Sequence, residues 1–166
     1  MTRRPLILLV ALAVVGCQDP YTHDDAKPQR RDPQTRTVPR ASSARAELAA
    51  RRFAALWTNW TWQTTAATQR ELSQLAVAPL ARQLRANAAS ARVDATLARD
   101  RPASHGTVVA AQVRADGAAA HGLVVTREQS FTNGRADLGG RRYRVYLITA
   151  TLRRGRWEVS RWAPQP

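Results

Sequence analysis

The sequence predicts an α+β domain in which three helices pack on a curved four-stranded antiparallel sheet. Between Ser42 and Ala98, apolar side chains recur at three- and four-residue spacing, which is the period of an amphipathic helix. From Thr107 onward, β-branched residues, tight-turn signals and two-residue alternation replace that spacing. Helices and antiparallel strands that are segregated in this way define the α+β class, with the helices on one face of the sheet.

The chain divides into three segments of different composition. Residues 1–16 place Arg3 and Arg4 before an apolar run, and they are predicted to be a signal peptide. Residues 17–41 contain repeated prolines and mixed charges, with too little apolar surface to form a core, and they are predicted to be a disordered tether. Residues 42–166 are predicted to be the folded domain.

Helix signals recur three times in the first half of this domain. The first helix is expected to begin at Ser42 or Ser43, because a serine hydroxyl can cap a helix start. The second is expected over Ala66–Ala76, and the third from Pro79, which suits a first turn, to about Ala98. The expected core positions are Ala49, Phe53, Leu56, Trp57 and Trp60 in the first helix, Leu72 and Leu75 in the second, and Leu80, Leu84, Ala88, Val93 and Leu97 in the third.

Four strands are expected in the second half, joined in pairs by tight turns. The first turn is signalled by Asp116-Gly117 and the last by Arg153-Arg154-Gly155. Strict alternation along the last strand places Trp157 opposite Trp162, so Trp162 is expected off the core face. The predicted strands are Thr107–Arg114, Leu123–Phe131, Arg142–Leu152 and Arg156–Ala163.

The chain is strongly basic, with 26 Lys and Arg against 12 Asp and Glu and a formal charge of +14. Loss of Arg3 and Arg4 with the signal peptide would leave +12. This excess predicts attraction to an acidic protein partner or to anionic lipid headgroups. Nucleic acid is not an expected partner, because a protein held outside the membrane would meet DNA only during transfer or uptake.

The single cysteine, Cys17, directly follows the apolar run Leu6–Val15 and Gly16. This arrangement resembles a bacterial lipoprotein signal peptide, which is cut before a cysteine whose sulfur has been diacylated. The resemblance implies a mature protein that begins at Cys17 and is anchored by lipid (palmitate-type acyl chains) on the extracytoplasmic face of the cell membrane. An ordinary secretory signal with an incidental cysteine is the alternative. The run is shorter than the roughly 20 residues needed to cross a bilayer.

The order of elements and the closing segment carry a second resemblance. Tyr143–Leu147, a turn at Gly155 and then Trp157–Pro164 form an ending similar to that of many NTF2-like domains, which share a cone-shaped α+β fold. Extracytoplasmic members include accessory proteins of conjugative transfer machines and of lipid-import systems. The resemblance implies a place in an envelope-spanning apparatus.

Two functions remain open from the residues. In the first, the domain is a binding or assembly module that docks an acidic partner or a headgroup surface through its last hairpin. In the second, the cone is a pocket for an apolar ligand or lipid, with proton transfer through His121 or Tyr143. The docking residues would be Arg144, Arg153, Arg154, Arg156, Arg161 and Trp162, and the pocket residues Trp57, Trp60, His121, Tyr143 and Tyr146.

Motifs for catalysis or for cofactors are not found, so we expect neither enzymatic activity nor a cofactor. The sequence contains neither a Gly-x-Ser-x-Gly elbow nor a phosphate-loop glycine pattern. Asp94 is expected to be a solvated charge and Asp137 to shape a turn. His23, His105 and His121 are too scattered to predict a metal site.

Overall fold

The structure is a computed structural model that describes residues 40–165. The predicted signal peptide at 1–16, the lipidation of Cys17 and nearly all of the predicted tether at 17–41 lie outside the described residues. The helices are α1 (Arg40–Thr58), α2 (Thr65–Gln74), α3 (Ala78–Val93) and α4 (Ala95–Asp100), and the strands are β1 (Trp60–Thr61), β2 (Ala103–Asp116), β3 (Ala119–Thr132), β4 (Arg135–Ala136), β5 (Arg142–Arg153) and β6 (Arg156–Pro164).

All strands belong to one curled antiparallel sheet with the order β1-β2-β3-β5-β6, and the short β4 pairs with β3. This arrangement confirms the α+β class and the curved antiparallel sheet. The described residues form four helices instead of the three expected, and two short strands join the four long ones. We call the sheet face that packs against α1 the concave face and the opposite one the outer face.

Helix α1 lies close to the sheet because small side chains line its buried side. Ala46, Ala50 and Ala54 are fully buried, together with the large ring of Phe53. They share one core with residues of β2, β3, β5 and β6. A helix lined with alanine can approach a sheet more closely than one lined with leucine, and this close packing fixes the path of α1 across the concave face.

The end of α1 corrects the expected position of Trp60. The helix stops at Thr58, whose hydroxyl donates to the Ala54 carbonyl at 3.0 Å. Asn59 then binds the edge of β2, donating from Nδ2 to the Gly106 carbonyl at 2.8 Å and accepting from the Gly106 amide at 3.2 Å. Trp60 therefore belongs to β1 and not to the apolar stripe of the helix.

The third predicted helix is interrupted at Asp94. This residue is extended, with φ −80° and ψ 100°, and its carboxylate accepts the Thr96 amide at 2.9 Å to cap a new helix, α4. The Thr96 hydrogen bonds hold the pKa of the Asp94 carboxyl below its usual value. The expectation that Val93 packs in the core was wrong, since its side chain is 84% exposed at this break.

The last strand contains a bulge that reverses its alternation. Thr149 pairs with Arg161 and Ala150 pairs with Val159, so Ser160 is an extra residue without a partner in the ladder. An extra residue changes which face the following side chains take. Trp157 and Trp162 consequently both face the concave side, and the expectation that Trp162 lies off the core face was wrong.

Gly122 lies where the backbone of the neighbouring strand leaves no room for a side chain. A Cβ added there would collide with the Gln112 carbonyl oxygen and lie 2.7 Å from the Val113 Cα, and neither backbone atom can move aside easily. We expect Gly122→Ala to lower the free energy of unfolding by about 1–3 kcal/mol, the usual cost of overpacking. Urea denaturation measures this change.

The matched control is Gly139→Ala, because its added Cβ would meet only the flexible side chain of Arg142. Its effect should stay within about 0.5 kcal/mol, as at an ordinary surface position. Equal effects of the two substitutions would contradict the close approach at Gly122.

Candidate functional site

Four aromatic rings occupy the space between α1 and the concave face. Tyr146 stacks on Trp162 with ring centroids 4.5 Å apart and an interplanar angle of 17°. Phe53 lies 5.2 Å from Trp162, and Trp57 lies 6.1 Å from it. These separations are those of favourable aromatic pairs. The centre of the concave side is therefore packed with side chains.

The indole of Trp162 is enclosed at its polar atom. Its Nε1 is buried and has no hydrogen-bond partner among the described residues. A buried donor without a partner costs roughly 1–3 kcal/mol. Packing of the ring must offset this cost, which indicates that the inward position of Trp162 is held by the aromatic contacts and not by a hydrogen bond.

A polar cluster around Glu128 borders the aromatic rings. Glu128 Oε1 accepts hydrogen bonds from the Tyr146 hydroxyl at 2.9 Å and from the Thr126 hydroxyl at 2.5 Å. The Arg144 Nε lies 3.5 Å from the other carboxylate oxygen. The Glu128 side chain is only 12% exposed, so these three groups provide most of its stabilisation.

Burial and, after it, the hydrogen bond to the Glu128 carboxylate together raise the pKa of Tyr146 to about 12. Tyr146 is consequently a neutral donor at neutral pH, where it anchors Glu128. A proton held this firmly is poorly matched to general acid-base work near pH 7.

The other residues considered for a pocket are not gathered on the concave side. His121 pairs with Thr149 across the outer face, with 3.4 Å between His121 Nδ1 and Thr149 Oγ1. Tyr143 also lies on the outer face and is 66% exposed. Of the five residues, Trp57 and Tyr146 meet in the aromatic cluster, whereas Trp60 lies in β1. Neither His121 nor Tyr143 points into the cone as the sequence analysis allowed.

The residues considered for docking divide among four places. Arg153, Arg154 and Arg156 stand together, exposed, at the turn between β5 and β6. Arg161 lies on the outer face opposite Thr149. Trp162 belongs to the aromatic cluster, and Arg144 is next to Glu128. The structure therefore brings three of the six together as an arginine-tipped hairpin.

A groove runs beside this hairpin, between α1, the end of α2 and the start of β6. We call it the hairpin groove, and its volume is about 280 Å³. Its apolar surface is built around the exposed Leu48 and the buried Trp157, and its basic residues come from both α1 and β6. The lining consists of Arg45, Leu48, Ala49, Arg52, Gln74, Leu75, Gly155, Arg156, Trp157 and Glu158.

Sequence reasoning missed the α1 side of this groove, although a signal was present. Arg45, Leu48, Ala49 and Arg52 follow the i, i+3, i+4, i+7 spacing of one helix face. This face is apolar in the middle and basic at both ends. A wholly buried helix side would not carry the arginines, and a wholly solvated one would not need the apolar residues. The pattern therefore predicts a helix face that the rest of the domain covers only in part.

The charges of the hairpin are poorly compensated within the described residues. Arg153 stands directly opposite Arg156 in the strand register, a like-charge pairing that destabilises a sheet. The Arg156 Nη2 reaches Glu158 Oε1 only at 3.9 Å, with the arginine side chain 78% exposed. Arg154 has a left-handed φ of 50°, which glycine or asparagine adopts more easily. The hairpin tip is basic at some cost to stability.

The described residues contain no group of three or more His, Cys, Asp or Glu side chains arranged to hold a metal ion. Among their helices, none is both long enough and apolar enough to span a membrane.

No protein-family model matches the sequence, and no curated protein matches it. Two solved structures are similar to the chain. The solution structure of the "putative transfer protein TraH" from the Gram-positive conjugative plasmid pIP501 has a TM-score of 0.47 and 11% identity, and the match covers 74% of this chain and 93% of that one. The crystal structure of the intermembrane space region of the chloroplast protein ARC6 has a TM-score of 0.46 and 12% identity, and the match covers 71% and 95%. At these TM-scores, neither similarity carries an argument about function.

The raised pKa of Tyr146 predicts a pH dependence of stability. A group whose pKa is higher in the folded state stabilises the fold below its unfolded pKa, and this contribution is lost as pH rises through the folded value. The free energy of unfolding should therefore fall between pH 10 and about 12 as Tyr146 ionises. Denaturant unfolding at stepped alkaline pH measures this fall.

The test compares two tyrosine variants. Tyr146→Phe should show a smaller fall over that pH range, whereas Tyr143→Phe, at an exposed position, should behave like the wild-type protein. Identical pH profiles for Tyr146→Phe and the wild type would contradict the assignment.

Proposed function

We propose that the chain is a membrane-anchored, extracytoplasmic binding module that docks an acidic protein partner in the hairpin groove. The observation that carries this proposal is the arginine-tipped hairpin beside an apolar groove with further arginines. The partner would present acidic side chains next to an apolar one. In this account the domain is of the NTF2-like type and binds without catalysing a reaction.

The hairpin supports the proposal through its unfavourable charge placement. Arg153 and Arg156 repel each other across the ladder, and Arg154 occupies a backbone conformation that favours other residues. Strain of this kind is a reason to look for a function at the site. Carboxylates of a partner would relieve the repulsion and form charge-assisted hydrogen bonds with the guanidinium groups.

The groove supports the proposal through its mixed surface. Leu48 is 68% exposed on α1 and lies in the groove with Trp157 and Leu75. Arg45 and Arg52 extend the basic surface from the hairpin onto the helix. A partner that contacts all of these groups gains both apolar burial and ion pairs, the combination found at the centre and rim of protein interfaces. Charges on the rim also accelerate encounter with an acidic partner.

The concave side offers less support for the alternative of an apolar-ligand pocket. The rings of Trp162, Trp57 and Phe53 fill the middle of the cone. The two residues considered for proton transfer, His121 and Tyr143, lie on the outer face. Docking on the outside is therefore the function that the geometry favours.

The setting of this module is part of the proposal and comes from the sequence. The resemblance of the segment ending in Cys17 to a lipoprotein signal suggests anchoring at the outer side of the cell membrane. Two or more acyl chains would make that anchoring stable. An envelope-spanning transfer apparatus is the assembly in which we propose that the domain is an accessory component.

The proposal is tested by crosslinking the full-length protein in its own cells and identifying the captured proteins by mass spectrometry. The variant replaces Arg153, Arg154 and Arg156 with Ser, which leaves the apolar residues of the hairpin groove unchanged. We expect capture of envelope proteins to fall at least tenfold, because three arginines proposed to pair with the partner's carboxylates are lost together.

The control replaces three arginines on α3, Arg82, Arg85 and Arg92, which are also exposed and change the net charge equally. Capture by the control should stay within twofold of the wild type. In the same assay, Leu48→Ser should weaken capture, whereas Leu138→Ser, on a fully exposed loop side chain, should not. Equal capture by the hairpin variant and the α3 control would contradict the proposal.

A further inference from the structure

A second cleft, of about 270 Å³, opens on the outer face where β2 and β3 meet the loop before β5. We call it the outer cleft. It is separate from the hairpin groove, since the two have no lining residue in common. Its lining residues are Asn59, His105, Gly106, Thr107, Arg127, Gln129, Phe131 and Arg141.

The strand register concentrates hydrogen-bond donors in this cleft. His105 pairs with Gln129, and Thr107 pairs with Arg127. Partners in an antiparallel pair point to the same face, and residues two apart on a strand do so as well. Four polar side chains from two neighbouring pairs therefore project outward within a few ångströms of one another. Arg141 joins them from the loop before β5.

The outer cleft contains no acidic side chain. The nearest carboxylate along β3 belongs to Glu128, which faces the concave side and accepts hydrogen bonds from Tyr146 and Thr126. Arg127 and Arg141 form no salt bridge with any described residue, whereas Arg144 and Arg156 each do. The cleft therefore holds two guanidinium groups whose charges are not compensated.

Two local contacts hold the walls of the cleft in place. Asn59 makes a pair of hydrogen bonds with the backbone of Gly106, which fixes the end of α1 to the edge of β2. The ring of Phe131 meets the imidazole of His105 edge to face, with centroids 5.3 Å apart. The second contact restricts the His105 ring before any ligand arrives, which reduces the entropy that this one donor loses on binding.

From this arrangement we infer that the outer cleft binds a terminal phosphate group with at least three free oxygens, supplied by a phosphomonoester lipid headgroup or by free phosphate. The guanidinium forks of Arg127 and Arg141 would bind its oxygens, with His105, Thr107 and Gln129 as further donors. A carboxylate has only two oxygens, whereas these side chains approach from several sides. A tetrahedral phosphate has enough oxygens to accept from all of them.

The experiment titrates the full-length protein, purified in detergent, with inorganic phosphate and follows amide shifts by NMR at constant ionic strength. The double variant Arg127→Gln, Arg141→Gln should bind phosphate at least tenfold more weakly than the wild type. The matched control, Arg82→Gln with Arg85→Gln on α3, loses the same charge and should bind within twofold of the wild type. Equal affinity of the wild-type protein and the outer-cleft variant would overturn the inference.

Vesicles distinguish the two sources of the phosphate group. We would compare cosedimentation with phosphatidate vesicles and with phosphatidylcholine vesicles for the same three proteins, each also carrying Cys17→Ser so that an acyl anchor does not bind both kinds of vesicle. If the outer-cleft variant loses its preference for phosphatidate and the control keeps it, a lipid headgroup is the ligand. If free phosphate binding is lost but the vesicle preference is unchanged in the variant, the cleft takes free phosphate. The hairpin residues are unaltered in both variants, so failure here leaves the docking proposal separately testable.

Discussion

The packing of Trp162 against Phe53 and Tyr146 is the interaction on which the rest of this domain depends. It joins α1 to β5 and β6, the strands farthest from the α1–β2 contact, and it requires the extra residue Ser160 to turn the indole inward. Burial of one large side chain is worth roughly 1.5–3 kcal/mol, and each favourable aromatic pair about 0.5–1.5 kcal/mol more. These gains exceed the cost of leaving the Trp162 Nε1 without a partner.

Filling the concave side has a direct consequence for where binding can occur. On the concave side the rings are packed and Glu128 is held by Tyr146, Thr126 and Arg144, whereas many arginines without a salt bridge lie elsewhere on the surface of the described residues. Some of these arginines lie at the hairpin groove and at the outer cleft, which open on different parts of the surface. We propose that a domain built in this way holds partners and anions at its surface. The two proposals therefore follow from one packing arrangement, although they can fail independently.

Much of the architecture could be predicted because it depends on local periodicity. The alternation in β5 and the turn at Asp116-Gly117 are properties of neighbouring residues, and the structure contains both. The bulge at Ser160 depends on tertiary packing, and the helix break at Asp94 depends on one side-chain cap. The periodicity of the sequence does not change at either position, so it could not predict them. For the candidate site, the arginines of the hairpin were recognised. The helix face of Arg45, Leu48 and Arg52 was not recognised, because only the folded structure brings it next to β6.

Hydrogen exchange of the Trp162 indole N–H, followed by NMR and assigned with Trp162→Phe, would show whether this side chain is enclosed. We predict slow exchange, because the nitrogen is enclosed between α1 and the concave face. Exchange as fast as that of an indole in open solvent would contradict it. That result would place Trp162 on the outer face, as unbroken strand alternation requires, and would reopen the interior of the cone as a binding site.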